Sequence, residues 1–418
     1  MMKNFRKIVI AIMMLAFSFI YAAGVFAGGL DHKYSLALRQ NVLVFRQPPG
    51  ADAFISDRSF GMTQSALRYD ERIYFGNATV SAALDTKLGF TSSGMAGLGM
   101  FESGGGIFGT SDPVERWDAT FDHIPDGSTT LQTRLQRLDV RWSIGSYDID
   151  IGRQPLSLGT SHFIGVLDVI APFSPGDLDA TYKPGVDAVR FRRGIGMTGE
   201  AEVIAVASKP WDDGALIGRY RTSVKGVDLE VVGGRFRHRG FGGIGWEGGV
   251  GEVGIWGELA LFEHREGHEN IWGGLSGAAF SAVSGIDVNL PADFKAGGAL
   301  MYQDFGVRDP EDLDEAYAGA PFREGWAFLA SAGYGLVTLH RQMHPLIDAD
   351  LAGILNLVDG STLWQPRLTV SISDNADMSF YGWISTGRES EYTFTGIDWK
   401  SEFGAIPDGG GFYTRWFF

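Results

Sequence analysis

Gly411-Phe412-Tyr413-Thr414-Arg415-Trp416-Phe417-Phe418 closes the chain. In an extended strand Phe412, Thr414, Trp416 and Phe418 share one face, while Tyr413 and Arg415 share the other. An aromatic face that runs to the last residue fits two settings. One is the edge strand of a soluble sheet, and the other is the last strand of a sheet that closes on itself. The rest of the sequence discriminates between them.

At the opposite end, Lys3, Arg6 and Lys7 precede an unbroken apolar run from Ile8 to Phe17, and Val25-Phe26-Ala27 follows with small residues at −3 and −1. This is the pattern of a secretory signal peptide cut after Ala27. It divides the chain into a leader, 1–27, and a single exported domain, 28–418. The run is short for a spanning helix, and no later stretch has 18 consecutive apolar residues.

Cysteine is absent. That excludes disulfides, thiolate metal sites and thioether-linked haem. Closing a sheet on itself is another way to stabilise an exported chain, because closure leaves no unpaired edge. Without Lys3, Arg6 and Lys7 the chain carries 32 Lys and Arg against 50 Asp and Glu, a formal charge of −18. Nucleic acid is a poor partner for such a surface.

Apolar and polar residues alternate over about ten positions in many segments, as in a barrel wall with one face in lipid and one in water. Leu138, Val140, Trp142 and Ile144 oppose Arg137, Asp139, Arg141 and Ser143. After Gly145-Ser146, Tyr147, Ile149 and Ile151 oppose Asp148 and Asp150. Val189 and Phe191 oppose Arg190 and Arg192; Tyr220 opposes Arg219 and Arg221; Val227, Leu229 and Val231 oppose Asp228 and Glu230. The polar face thus carries full charges whose sign switches from strand to strand. The pattern sets Arg141 across from Asp148 and Asp150, Arg219 and Arg221 across from Asp228 and Glu230, and Arg190 and Arg192 across from Glu200 and Glu202. Opposite charges across a ladder contribute about 0.2–1 kcal/mol each.

Connection lengths point the same way. Long segments (47–65, 92–130, 156–185, 306–325, 387–410) alternate with tight turns at Gly76, Ser146, Lys225-Gly226 and Asp374-Asn375. The expected fold is all-β: a closed antiparallel transmembrane β-barrel of about 18 strands, with long extracellular loops and short periplasmic turns. Alternation is shallowest at 240–248, 271–282 and 349–357, which leaves 16 as the other even count. Expected strands also include 326–339 and 411–418.

The segment after Ile151 contains Gly152-Arg153-Gln154, then Pro172-Phe173-Ser174-Pro175, then Lys183-Pro184-Gly185-Val186-Asp187. With Asn356-Leu357-Val358-Asp359-Gly360-Ser361 and Ser373-Asp374-Asn375, these motifs resemble uncharacterised porin-like outer-membrane barrels of Gram-negative bacteria. Those are similar in turn to alginate-export-type barrels. The matches cover roughly a quarter of the exported chain, and Thr160–Leu167 departs from the group's pattern. Gly411–Phe418 likewise resembles the closing strand of such barrels. The resemblance implies that Phe412, Trp416 and Phe418 form the signal read by the barrel-assembly machinery. It also implies outer-membrane lipid and lipopolysaccharide as surroundings.

A loop of about thirty residues without periodicity is uncommon and often functional. Segment 156–185 is long enough to fold into the lumen and narrow it. Its acids Asp168, Asp177 and Asp179 would then face Arg137, Arg141, Arg190 and Arg192, and opposed charges across a constriction select polar or charged solutes. Strict alternation puts Arg153 on the lipid side, unless a bulge at Gly152 turns it inward.

Other motifs are weaker. His264 and His268 lack the His-Glu-x-x-His order of a zinc helix. The run Asp309-Pro310-Glu311-Asp312-Leu313-Asp314-Glu315 lacks the spacing of a calcium loop. His340 and His344 flank a turn. No metal, cofactor or catalytic set is expected. The sequence reads as a channel for passive passage of small polar or charged solutes. An outer-membrane enzyme using a pair such as Ser161-His162 is one alternative. A wide barrel that sheathes an exported polymer or redox partner is another.

Overall fold

The computed structural model describes residues 31–48, 59–92, 114–124, 128–176, 181–263, 278–393 and 396–418. The segment expected as a leader lies outside them. Nineteen antiparallel strands form one sheet. Thr120–Ile124 pairs only with Thr129–Ile144, so eighteen strands make the ring. Strand Asp31–Arg46 closes it by pairing with Ser59–Phe75 on one side and Gly409–Phe417 on the other. No helix among the described residues is long and apolar enough to cross a membrane. The ring itself supplies the spanning structure, because closure satisfies every strand's backbone without water.

Two faces follow from the period of two. Leu138, Val140, Trp142 and Ile144, with their neighbours Ile151, Val189 and Phe191, are 42–55 % exposed. Their alternates carry the charges. The tight turns fall where glycine or lysine adopts a left-handed conformation, at Gly76, Gly145, Lys225 and Gly226. The four residues 374–375 and 145–146 join adjacent hairpin strands as expected.

The C-terminal strand closes the ring as its alternation demands. Leu36 and Phe418 exchange both backbone hydrogen bonds, at 3.1 and 2.8 Å. Phe412 stands opposite the exposed Phe380 on the outer face. Tyr413 is buried, and Arg415 pairs with Asp377 and reaches Thr181 at 2.9 Å.

Two strands are displaced from their expected positions. The expected 271–282 is found at Ala278–Leu290. Gly285 in its middle makes room for Trp256 on the neighbouring strand: a Cβ there would lie 2.6 Å from the indole. The expected 326–339 begins only at Gly333 and runs to His344. Trp326, Ala327, Phe328, Leu329 and Ala330 are apolar because they form the buried floor of an extracellular loop. That loop, 304–332, carries short helices at Leu313–Tyr317 and Ala320–Arg323.

Candidate functional site

Segment 156–184 leaves the wall after Pro155 and returns at Gly185. Its outgoing limb runs along five strands beyond its own hairpin. Arg219 Nη1 donates to Ser157 O at 3.0 Å, and Gly159 N donates to Glu230 Oε1 at 2.9 Å. Thr160 and Ser161 N–H reach Glu258 Oε1 at 2.5 and 2.6 Å; Val166 and Leu167 N–H reach Oε2 at 2.7 and 3.0 Å. His162 pairs with Asp287 at 2.7 Å and Glu247 at 3.1 Å, and lies against Trp256.

The returning limb touches the opposite side of the ring. Gln365 donates to Pro175 O, and Arg415 donates to Thr181 Oγ1. The guanidinium groups of Arg39 and Arg68 lie 5.1 and 4.1 Å from the Tyr182 ring centre, a cation–π arrangement. Only a segment inside the barrel can touch inward side chains on both sides of the ring. The loop therefore crosses the bore. Lys183 closes its neck by pairing with Asp168 and donating to Ser157 Oγ.

The wall beside the neck is a chain of ion pairs. Asp150 accepts from Arg141 at 2.7 Å and from Arg192 at 2.8 Å. Arg192 also approaches Asp148 at 3.8 Å. Glu202 joins Arg190, at 2.6 Å, to Arg219. Arg221 pairs with Glu200 at 2.7 Å. The two buried carboxylates, Asp150 and Glu202, are each held by cations from both neighbouring strands, which holds their charges in place without leaving a buried one unpaired.

Several expected positions need correction. Arg221 stands opposite Glu230 across the hairpin as expected, but Arg219 and Arg221 take their ion-pair partners, Glu202 and Glu200, from the strand before them. Glu230 is taken by the loop, and Asp228 stands opposite Ser223. Asp168 pairs with Lys183 inside the neck and does not face Arg137, Arg141, Arg190 or Arg192. Burial raises its carboxyl above the ordinary aspartate value, and Lys183 opposes that shift. Asp177 and Asp179 lie outside the described residues.

Arg153 is the clearest departure. No bulge turns it inward: the register runs unbroken from Ile151↔Val189 to Arg153↔Asp187, so both residues keep the outward parity. Yet Arg153 is only 3 % exposed. Its guanidinium sits in the wall, pairing with Asp187 and Glu115 and donating to Leu135 O and Trp117 O. Here strand Tyr147–Pro155 ends and Thr120–Ile124 takes its place beside Thr129–Ile144. Arg153 clips that junction and does not line the bore. Segment 114–118 was the missing partner, and nothing local to Arg153 announces it.

Beside the neck is a cavity of about 380 Å³ lined by Arg72, Arg137, Arg141 and Arg190, with Asp139 the one acid. Arg141 and Arg190 are already paired. Arg137 Nε is buried and has no hydrogen-bond partner among the described residues. Arg72 and Arg137 therefore supply the surplus positive potential, which a low-dielectric wall strengthens. Arg72 is hard to place from sequence because the consecutive charges Asp70-Glu71-Arg72 interrupt the alternation of its strand, Ser59–Phe75.

No family model and no curated protein matches this sequence. Solved structures do match in fold. Acinetobacter baumannii OccAB3 gives a TM-score of 0.58 at 9 % identity, covering 93 % of this chain and 99 % of that one. Pseudomonas aeruginosa OccK11 (OpdR) gives 0.56 at 11 %, over 93 % and 96 %. A BenF-like porin from Pseudomonas fluorescens Pf-5 gives 0.56 at 8 %, over 93 % and 98 %. At these identities the likeness establishes the barrel fold.

The remaining motifs resolve simply. Ser161 Oγ donates to Ile164 O, away from His162, whose two ring nitrogens meet carboxylates. His340 pairs with Asp350 across a hairpin, and His344 Nδ1 accepts from Leu346 N in the turn. Asp309 caps a short helix by accepting from Glu311 N. His264 and His268 lie outside the described residues.

Proposed function

We propose that this chain is a channel of the Gram-negative outer membrane, passing small polar or charged solutes passively through a charged bore. The observation that carries the reading is the inward loop: its described parts, 156–176 and 181–184, rest on opposite walls of the lumen, leaving a confined, arginine-lined space beside them. A charged, narrowed passage selects solutes by charge and size. The surplus of Arg72 and Arg137 favours anions.

The same loop weighs against a sheath for an exported polymer, which the likeness to alginate-export-type barrels would imply, because that needs a wide bore. Ser161 and His162 do not meet, so that pair lends no support to the enzyme alternative. In this reading Phe412, Trp416 and Phe418 serve as the signal for the barrel-assembly machinery, and lipopolysaccharide surrounds the outer rim.

Purified protein in a planar bilayer is expected to give discrete ion-permeable steps with anion preference. Arg72→Gln with Arg137→Gln is expected to lower the anion-to-cation permeability ratio about threefold. This pair is a cleaner probe than Arg190 and Arg192, whose removal would take one of two cationic partners from each of Glu202 and Asp150. A folded protein that never conducts would overturn the reading.

A further inference from the structure

We propose that Glu258 is the positioning residue that sets the width of the bore, by clasping the outgoing limb of 156–184 through its main chain. The inference rests on the channel reading and adds the part on which the constriction depends.

Glu258 is 1 % exposed, on the inward face of strand Val253–Glu263. No Lys, Arg or His side chain pairs with it among the described residues. Its two oxygens instead take four backbone N–H groups from Thr160, Ser161, Val166 and Leu167. A buried carboxylate without a cation persists only where such donors replace water. Conversely, those four N–H groups have left the pattern of any strand or helix and need an acceptor. Each side of the contact therefore requires the other.

The surroundings are shaped for this approach. Gly159 has φ +89°, and a Cβ there would lie 2.3 Å from Glu258 Oε1. On the next strand a Cβ on Gly243 would lie 2.3 Å from the Leu167 side chain. The wall is thus hollowed where the limb rests. The other polar contacts to the limb reach at most one backbone N–H each: Arg219 at Ser157, Glu230 at Gly159 and, between the two halves of the clasp, the exposed His162 side chain with Asp287 and Glu247. Release of Glu258 frees the middle of the limb to swing into the bore or out of it.

The test uses the full chain. Glu258→Gln keeps the side chain's shape but turns an NH₂ toward part of the donor set. Single-channel conductance is expected to change by about twofold, with a broader distribution of levels. The amides of Thr160, Ser161, Val166 and Leu167 are expected to exchange with solvent about tenfold faster. Gly159→Val, which crowds the carboxylate while leaving Glu258 in place, is expected to reproduce both effects.

The chain has no cysteine, so a staple is clean. A Cβ on Gly245 would lie 3.2 Å from Thr160 Oγ1 and 3.6 Å from Thr160 Cγ2, within reach of a disulfide. In the Glu258→Gln background, Thr160→Cys with Gly245→Cys is expected to restore wild-type conductance when oxidised and to lose it on reduction. Wild-type conductance and exchange in a folded Glu258→Gln protein would overturn the inference. So would a changed conductance that the oxidised staple fails to restore. Silence of the wild-type protein would instead strike the channel reading, and amide exchange would still decide the clasp.

Discussion

Two buried glutamates, Glu258 in the bore and Glu402 in the extracellular cap, solve the same problem in different ways. Both are 1 % exposed, and neither has a cationic partner among the described residues. Glu258 takes four main-chain N–H groups from one loop. Glu402 takes Ala330 N at 2.8 Å, Ser331 Oγ at 2.9 Å, Tyr334 OH at 2.6 Å, Tyr317 OH at 3.3 Å and Asn356 Nδ2 at 2.8 Å. Those donors come from segments 304–332 and 333–356, so Glu402 ties 387–408 to its neighbours. Around it Phe403, Leu313, Phe322 and Trp326 are buried. A main-chain clasp holds position without specifying the loop's side chains. A side-chain latch spreads its energy over several named residues, and each can be tested alone.

The comparison predicts that stability and conductance separate between the two regions. Glu402→Ala leaves several buried donors unpaired, at about 1–3 kcal/mol each. Urea unfolding in lipid bilayers should show a loss of about 4 kcal/mol, with single-channel conductance near wild type. Conductance changes as large as those of Glu258→Gln would mean that cap and constriction are one device. Tyr334→Phe removes the hydroxyl's bond to Glu402 and the acceptor of the buried Ser331 N–H, and is expected to cost about 2 kcal/mol in the same assay. An unchanged midpoint would place the latch's energy in its other donors.

The smallest expected effect is a pH slope. Burial holds the Glu402 carboxyl above the ordinary glutamate value, against the pull of its donors. The folded state therefore keeps its proton at a pH where the unfolded chain has released it. This contribution is full below the unfolded value, about 4.3, and is lost as pH rises through the folded one. Melting temperature should fall across that window in the wild type, and Glu402→Gln should flatten the fall. Parallel slopes in the two proteins would assign the titration elsewhere.

How far the sequence could be read depended on the range of the forces involved. The hairpin Arg137–Ile151 was legible because its alternation, its Gly145-Ser146 turn and its Arg141–Asp150 pair lie within fifteen residues. Strand Arg239–Val250 was shallow in the sequence because its inward positions Gly243 and Gly245 make room for Leu167 and Thr160, residues far away in the chain. Trp326–Ala330 imitated a strand because a buried loop floor and a buried strand are equally apolar. Arg153 was placed on the correct parity, yet its partners Glu115 and Trp117 come from a distant loop.

By itself the sequence determined the closed sheet, its strand count to within two and its tight turns, since alternation and glycine conformation act between neighbours. Gly411–Phe418 announced that closure and needed only Asp31–Arg46 to complete it. Only the tertiary structure decided what stands in the bore. The contact that does so, Glu258 to four backbone N–H groups, uses atoms that every residue possesses. Such a contact leaves almost no trace in the side chains of the loop it holds.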